Sequence, residues 1–221
     1  MVFLPKFRHL VFLCVLCLFP FFIYAQQPVA PADYTGSRTT TATNQLVTFG
    51  GYSGSIKIAW SISFSSSINR WNYTYTVTNA TGGSIGQSSN YLFVEVPKGA
   101  YNAEFVNTGS AAMVGTSYVS VAGEYELEFH TTSSTLVASF TSQFAPVWAD
   151  GGYTNTTNLS SGVFDYAFGQ TSYLGANFNQ WLAVPAGARV NIPEPQTWLI
   201  LGSLLALVAF IRRKKSNTIA Y

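Results

Sequence analysis

From Ile56 to Phe64 large apolar residues alternate with small or polar ones. Ile56, Ile58, Trp60, Ile62 and Phe64 are separated by Lys57, Ala59, Ser61 and Ser63. The pattern returns at Trp71, Tyr73, Tyr75 and Val77, separated by Asn72, Thr74, Thr76 and Thr78. Successive side chains of an extended strand point to opposite faces, so each run has one face to bury and one to wet. Asn79-Ala80-Thr81-Gly82-Gly83 ends the second run as a turn. Residues 91 to 96, 103 to 106, 118 to 121, 136 to 144, 163 to 168 and 181 to 184 read as further short strands. Tyr125, Leu127 and Phe129 alternate with Glu124, Glu126 and Glu128, which places three carboxylates on one wet face about 7 Å apart. Charges in that position discourage edge-to-edge pairing. No sustained 3.6-residue stripe precedes Pro193, so the expectation is an all-β domain, an antiparallel β-sandwich or jelly roll.

The two ends of the sequence read differently. Lys6, Arg8 and His9 precede an apolar run from Leu10 to Ile23, and Tyr24-Ala25 followed by Gln26-Gln27-Pro28 makes residues 1–25 a signal peptide cut after Ala25. Cys14 and Cys17 both fall inside that segment, leaving the mature chain without disulfides or thiolate metal sites. At the other end, Thr197 to Ile211 contains no charge. As a single transmembrane helix it spans roughly 22 Å at about 1.5 Å per residue, short of the ~30 Å hydrocarbon core. Arg212, Arg213, Lys214 and Lys215 follow as a stop-transfer cluster that keeps the tail 216–221 cytoplasmic and the domain outside. Upstream, Pro193 and Pro195 hold Glu194 in an extended strip, because neither proline continues a helix.

This order of parts, Pro193-Glu194-Pro195, an apolar helix, then a basic cluster, resembles the PEP-CTERM sorting signal of Gram-negative bacteria. Two internal strings extend the resemblance. Trp71-Asn72-Tyr73-Thr74-Tyr75-Thr76-Val77-Thr78-Asn79 is similar to a Tyr-x-Tyr-x-Val-Thr-Asn strand of such proteins. Ala145-Pro146-Val147-Trp148-Ala149-Asp150-Gly151-Gly152-Tyr153 resembles their Pro-Val-Trp-Gly-Asp-Phe-Tyr-Ala-Lys motif, with Ala149 in place of its glycine. The resemblance implies recognition of residues 193–215 by an exosortase, processing near the Pro-Glu-Pro motif, and association with extracellular polysaccharide or biofilm. Two other readings of the same residues stay open. One is a plain single-pass anchor. The other is a glycolipid-anchor signal built on Ala186-Gly187-Ala188, against which the four terminal cations argue.

Between the ends, residues 26–45 carry Pro28, Pro31 and a threonine run and read as a flexible leader, residues 46–185 as the ectodomain, and residues 186–192 as a linker. Residues 26 to 192 hold five cations and eight anions, a net of −3, so the whole-chain charge of +2 comes from the two targeting segments. No nucleic-acid partner is implied.

Catalysis finds little support. His130 is the only histidine beyond residue 25, and no Gly-x-Ser-x-Gly elbow accompanies it. Glycoside hydrolysis needs two facing carboxylates, and the eight anions allow many pairings, Glu124, Glu126 and Glu128 among them, but charges on a strand face serve more simply to deter edge pairing. Asp150, Asn155 and Asn158 lack the spacing of a calcium loop. The expectation is therefore no enzyme, no cofactor and no metal. Binding is more credible, because aromatic faces stack on sugar rings while amides and carboxylates hydrogen-bond the hydroxyls. Trp148, Trp181 and Tyr153 are the candidate glycan-binding residues, with Tyr173 and Trp71 behind them; Trp60 and Trp71 fit better as core.

Overall fold

The computed structural model describes residues 26–85, 89–119, 124–156, 161–168 and 177–187. Its strands are β1 (Thr35–Thr39), β2 (Leu46–Phe49), β3 (Ile56–Ser65), β4 (Arg70–Asn79), β5 (Asn90–Val96), β6 (Phe105–Asn107), β7 (Ala112–Val119), β8 (Glu124–Thr131), β9 (Leu136–Ser142), β10 (Val147–Ala149), β11 (Gly151–Thr154), β12 (Gly162–Asp165) and β13 (Leu182–Val184). One sheet has the order β1-β3-β4-β9-β6 and a second the order β2-β12-β11-β5-β8-β7, while β10 and β13 form a two-stranded ribbon. Every pairing is antiparallel. The chain is thus all-β, with helix confined to three short 3-10 turns among the described residues.

The two alternating runs become the hairpin β3–β4, whose ladder runs from Ile56 opposite Asn79 to Ser65 opposite Arg70. Asn69 closes its tip at a φ of 51°, a left-handed conformation that asparagine tolerates better than most residues. Ile56, Ile58, Trp60, Ile62, Tyr73, Tyr75 and Val77 all point inward. Phe64 breaks the pattern: it emerges at the end of β3, 44% exposed, and lies against Trp71 with ring centroids 5.1 Å apart.

Leu92, Val94, Leu127, Phe129, Tyr153 and Val163 of the second sheet belong to the same apolar cluster as the inward face of the first. Phe129 of β8 stacks on Phe140 of β9 with centroids 5.0 Å apart, which is a direct contact between the sheets. Tyr73 stacks on Phe140 in turn, at 5.3 Å. Each large apolar side chain so buried contributes roughly 1.5–3 kcal/mol. The two core tyrosines still satisfy their hydroxyls. Tyr73 donates to the Phe144 carbonyl at 2.8 Å and Tyr75 to the Ala183 carbonyl at 2.6 Å. Burial pushes both phenols well above their ordinary pKa, so they remain donors.

Residues 26–45 are not a flexible leader. β1 pairs with β3 over five residues, from Thr35 opposite Ser61 to Thr39 opposite Lys57. Pro28 bridges Val147, and the Trp148 amide donates to the Gln27 carbonyl at 3.0 Å. The polar composition of this stretch suggests disorder, yet the open edges of β3 and β10 need partners for their amides and carbonyls. At the other boundary, Ala186 is buried and the Gly187 amide donates to the Ala145 carbonyl at 3.0 Å, so the expected linker begins inside the fold.

The carboxylate face of β8 is also corrected. β8 lies between β5 and β7 rather than at an edge. Glu126 is fully buried and stands directly opposite Glu95, while Glu128 is half-buried opposite Phe93. The strand expected from residue 103 starts as a 3-10 turn, Asn102–Glu104, before β6. Residues 1–25 and 188–221, which carry the signal peptide, most of the linker, the Pro-Glu-Pro motif, the apolar segment and the basic cluster, lie outside the described residues, as do Asn158 and Tyr173.

Candidate functional site: a closed aromatic end and an open polar cavity

Trp148 sits on β10, Tyr153 on β11, and Trp181 immediately before β13. All three are buried, at 3%, 0% and 2% exposure. Trp148 meets the edge of Trp60 at 6.0 Å and stacks on Phe178 at 5.8 Å. Tyr153 donates its hydroxyl to Asn90 Oδ1 at 2.6 Å and meets Tyr52 edge-on at 5.9 Å. A ring stacks on a sugar only if its face reaches solvent, so these residues are packing elements and their assignment to glycan binding is withdrawn.

What organises the aromatic end is Arg38. Its guanidinium lies 4.8 Å from the Trp60 ring centroid and 5.4 Å from that of Trp148. Nε donates to the Trp181 carbonyl at 3.0 Å, one terminal nitrogen to the Phe178 carbonyl at 2.7 Å, and the other to Ser37 at 3.0 Å. Burial lowers its pKa to about 10, a shift that Asp165 and then Asp33 partly oppose. Arg38 therefore stays charged at neutral pH. Gly36, two residues earlier, has no room for a side chain: a Cβ there would lie 2.4 Å from Cζ2 of Trp60.

Next to this end, three carboxylates meet. Glu95 accepts from the Gln26 side-chain amide at 2.5 Å and from the Asp150 amide at 3.0 Å, and its own amide donates to the Asp150 carbonyl at 2.9 Å. Asp165 accepts from the Gly151 amide at 2.9 Å. Its carboxyl is held well above the usual range, first by burial, then by Asp150 and Glu95, while the Gly151 and Leu182 amides pull the other way. Among the described residues no three acids, histidines or cysteines are placed to hold a metal ion. Gly151 and Gly152 allow this crossing of strands: a Cβ on Gly151 would lie 2.8 Å from Leu182, and one on Gly152 would lie 2.4 Å from Phe164. His130 stacks on Tyr91 at 4.6 Å.

At the opposite ends of β11 and β12 the chain opens into a cavity of about 250 Å³. Gly51, Tyr52, Ser53, Gly54, Ser55, Ile56, Asn79, Ile85, Asn155 and Ser161 line it. They come from the β2–β3 loop, the turn after β4, and the two sides of the β11–β12 connection. Among the described lining there is no Lys, Arg, Asp or Glu. The arrangement offers hydroxyls, amides and one half-buried phenol, all able to donate and accept hydrogen bonds.

Sequence reasoning missed both Arg38 and the cavity. Arg38 looked like one cation in a polar leader. Gly50-Gly51-Tyr52-Ser53-Gly54-Ser55 was the available signal for the cavity, a Gly/Ser-rich loop carrying an aromatic residue between two strands. No family model matches the chain, and no curated protein or solved structure is significantly similar to it.

Proposed function

We propose that this chain is an exported β-sandwich protein of the PEP-CTERM type, carried across the inner membrane, held transiently by its C-terminal helix with the domain outside, and processed by an exosortase near Pro193-Glu194-Pro195. At the cell surface or in the extracellular matrix it acts as a structural or adhesive component of exopolysaccharide or biofilm. The observation that carries this reading is the succession of Pro193-Glu194-Pro195, the uncharged stretch Thr197 to Ile211, and Arg212-Arg213-Lys214-Lys215, matched by an apolar segment behind Lys6 and Arg8 at the other end. An antiparallel all-β domain between the two targeting segments is compatible with it. A second reading, a carbohydrate-binding module at the surface, is favoured by the neutral polar cavity and not by the buried tryptophans.

The test is the intact mass and C-terminal peptide of the protein recovered from its own cells, fraction by fraction. A C-terminus near residues 193–196, on the surface or released, supports sorting and processing. A membrane-bound form retaining the peptide through Ser216 to Tyr221 would leave a plain single-pass anchor instead.

A further inference from the structure

The cavity at the β2–β3 loop has a composition that selects its ligand. Ser53, Ser55, Asn155 and Ser161 make no side-chain hydrogen bond to any described residue, although all four line one concavity. Asn79 uses Oδ1 to accept from the Thr81 amide at 3.0 Å and from the Thr81 hydroxyl at 2.8 Å, which leaves its two N–H donors for another partner. Buried Ile56 and Ile85 supply an apolar part of the lining. Tyr52 adds an aromatic ring, and only glycine at position 54 leaves room for it: a Cβ there would lie 2.5 Å from the phenolic oxygen.

An apolar patch, an aromatic ring and several free hydroxyls and amides match a molecule with C–H faces and a rim of hydroxyl groups. Without a fixed cation in the described lining, there is nothing to favour a sulfate, phosphate or carboxylate group. The volume, about 250 Å³, falls just below the ~300 Å³ of the smallest sites for drug-sized ligands. That is room for one sugar ring, not for a chain of them.

We propose that Tyr52, Ser53, Ser55, Asn79, Asn155 and Ser161 form a subsite for a single neutral sugar residue of a polysaccharide. The cavity chemistry gives the class of ligand; that the sugar belongs to a matrix polymer rests on the surface reading above. A one-residue subsite binds weakly, with Kd on the order of a millimolar, and many copies on a surface would convert this into retention of a polymer by avidity.

The experiment uses the full-length chain in detergent, titrated by saturation-transfer NMR and calorimetry with the methyl glycosides of glucose, galactose, mannose and N-acetylglucosamine, and with glucuronic acid as the charged comparison. The expected result is saturable binding of at least one neutral glycoside, tighter than glucuronic acid, and weakened at least fivefold in Asn155→Ala and in Ser55→Ala. Both variants should melt within about 2 °C of the parent, since neither residue supports another described side chain. If either fails to fold, Ser53→Ala, which alters an exposed hydroxyl, takes its place. No saturable binding by any glycoside, a preference for glucuronic acid, or affinity unchanged in the variants would each overturn the subsite. C-terminal processing is read separately by mass, so a processed protein that binds no sugar sinks the subsite alone, and an unprocessed one that binds sugar sinks only the sorting account.

Discussion

The ends of β11 and β12 solve opposite problems with the same two strands. At Gly151 and Asp165 the strands enter a dry region where Arg38, three carboxylates and two tryptophans interlock. At Asn155 and Ser161 they open into a cavity where the side chains of Ser53, Ser55, Asn155 and Ser161 make no hydrogen bond to a described residue. Four residues of β12 separate the two, about 13 Å at ~3.3 Å per residue. Backbone groups meet most of the closed end's charge: the Trp181 and Phe178 carbonyls accept from Arg38, and the Gly151 and Asp150 amides donate to Asp165 and Glu95. Unused hydrogen-bonding groups persist at low cost where water or a ligand can reach them, which explains the open one. Aromatic content therefore misleads here: the tryptophans mark the scaffold, and the serines and asparagines mark the surface able to recognise something.

Trp148→Ala should break this contrast most severely. Emptying the space between Trp60 and Phe178 is expected to cost about 3–5 kcal/mol, read by urea unfolding. A loss below ~0.5 kcal/mol would mean that Trp148 stands free on the surface. Arg38→Ala comes next, at about 2–4 kcal/mol, because it removes a charged donor from the Trp181 and Phe178 carbonyls and the cation from both indoles. Arg38→Lys should recover only part of this, since an ammonium cannot reproduce the guanidinium fork. Gly36→Ala should cost about 1–3 kcal/mol by pushing on Trp60; a neutral result would show that β1 leaves the sheet easily.

Asp165 sharpens the comparison through pH. Its carboxyl holds its proton more tightly in the folded chain than in the unfolded one. The native state therefore binds more protons above the ordinary carboxyl value of ~3.9, and stability falls as pH rises from there through the raised folded value. Asp165→Asn keeps an acceptor for the Gly151 amide and removes that titration. Its unfolding free energy should decline less steeply with pH than the parent's; an identical profile would show that Asp165 ionises without penalty. Asn155→Ala, at the open end, should change stability by no more than about 0.5 kcal/mol.

The hairpin β3–β4 was legible because one face of each strand is buried and the other is wet, so period two survives in the sequence. β10 and β11 are buried on both faces, and with Gly151 and Gly152 between them they show no alternation to read. β1 was hidden because Thr35, Gly36, Ser37 and Thr39 are polar or small, and its one buried side chain is an arginine. Glu126 was misread for a related reason: alternation shows which residues share a face, and it does not show that another strand's carboxylate lies across from them in the dry interior. The cavity had no periodic signal at all, since loop residues meet there only through the tertiary fold.

The account's central claim, one closed end and one open end on shared strands, is tested most directly by amide hydrogen exchange followed peptide by peptide on the full-length chain. Peptides spanning 35–39, 147–154 and 182–184 should exchange slowly, near the global unfolding limit, while 50–55 and 80–84 exchange fast. Rapid exchange at 35–39 and 147–149 together with protection of 50–55 would contradict it.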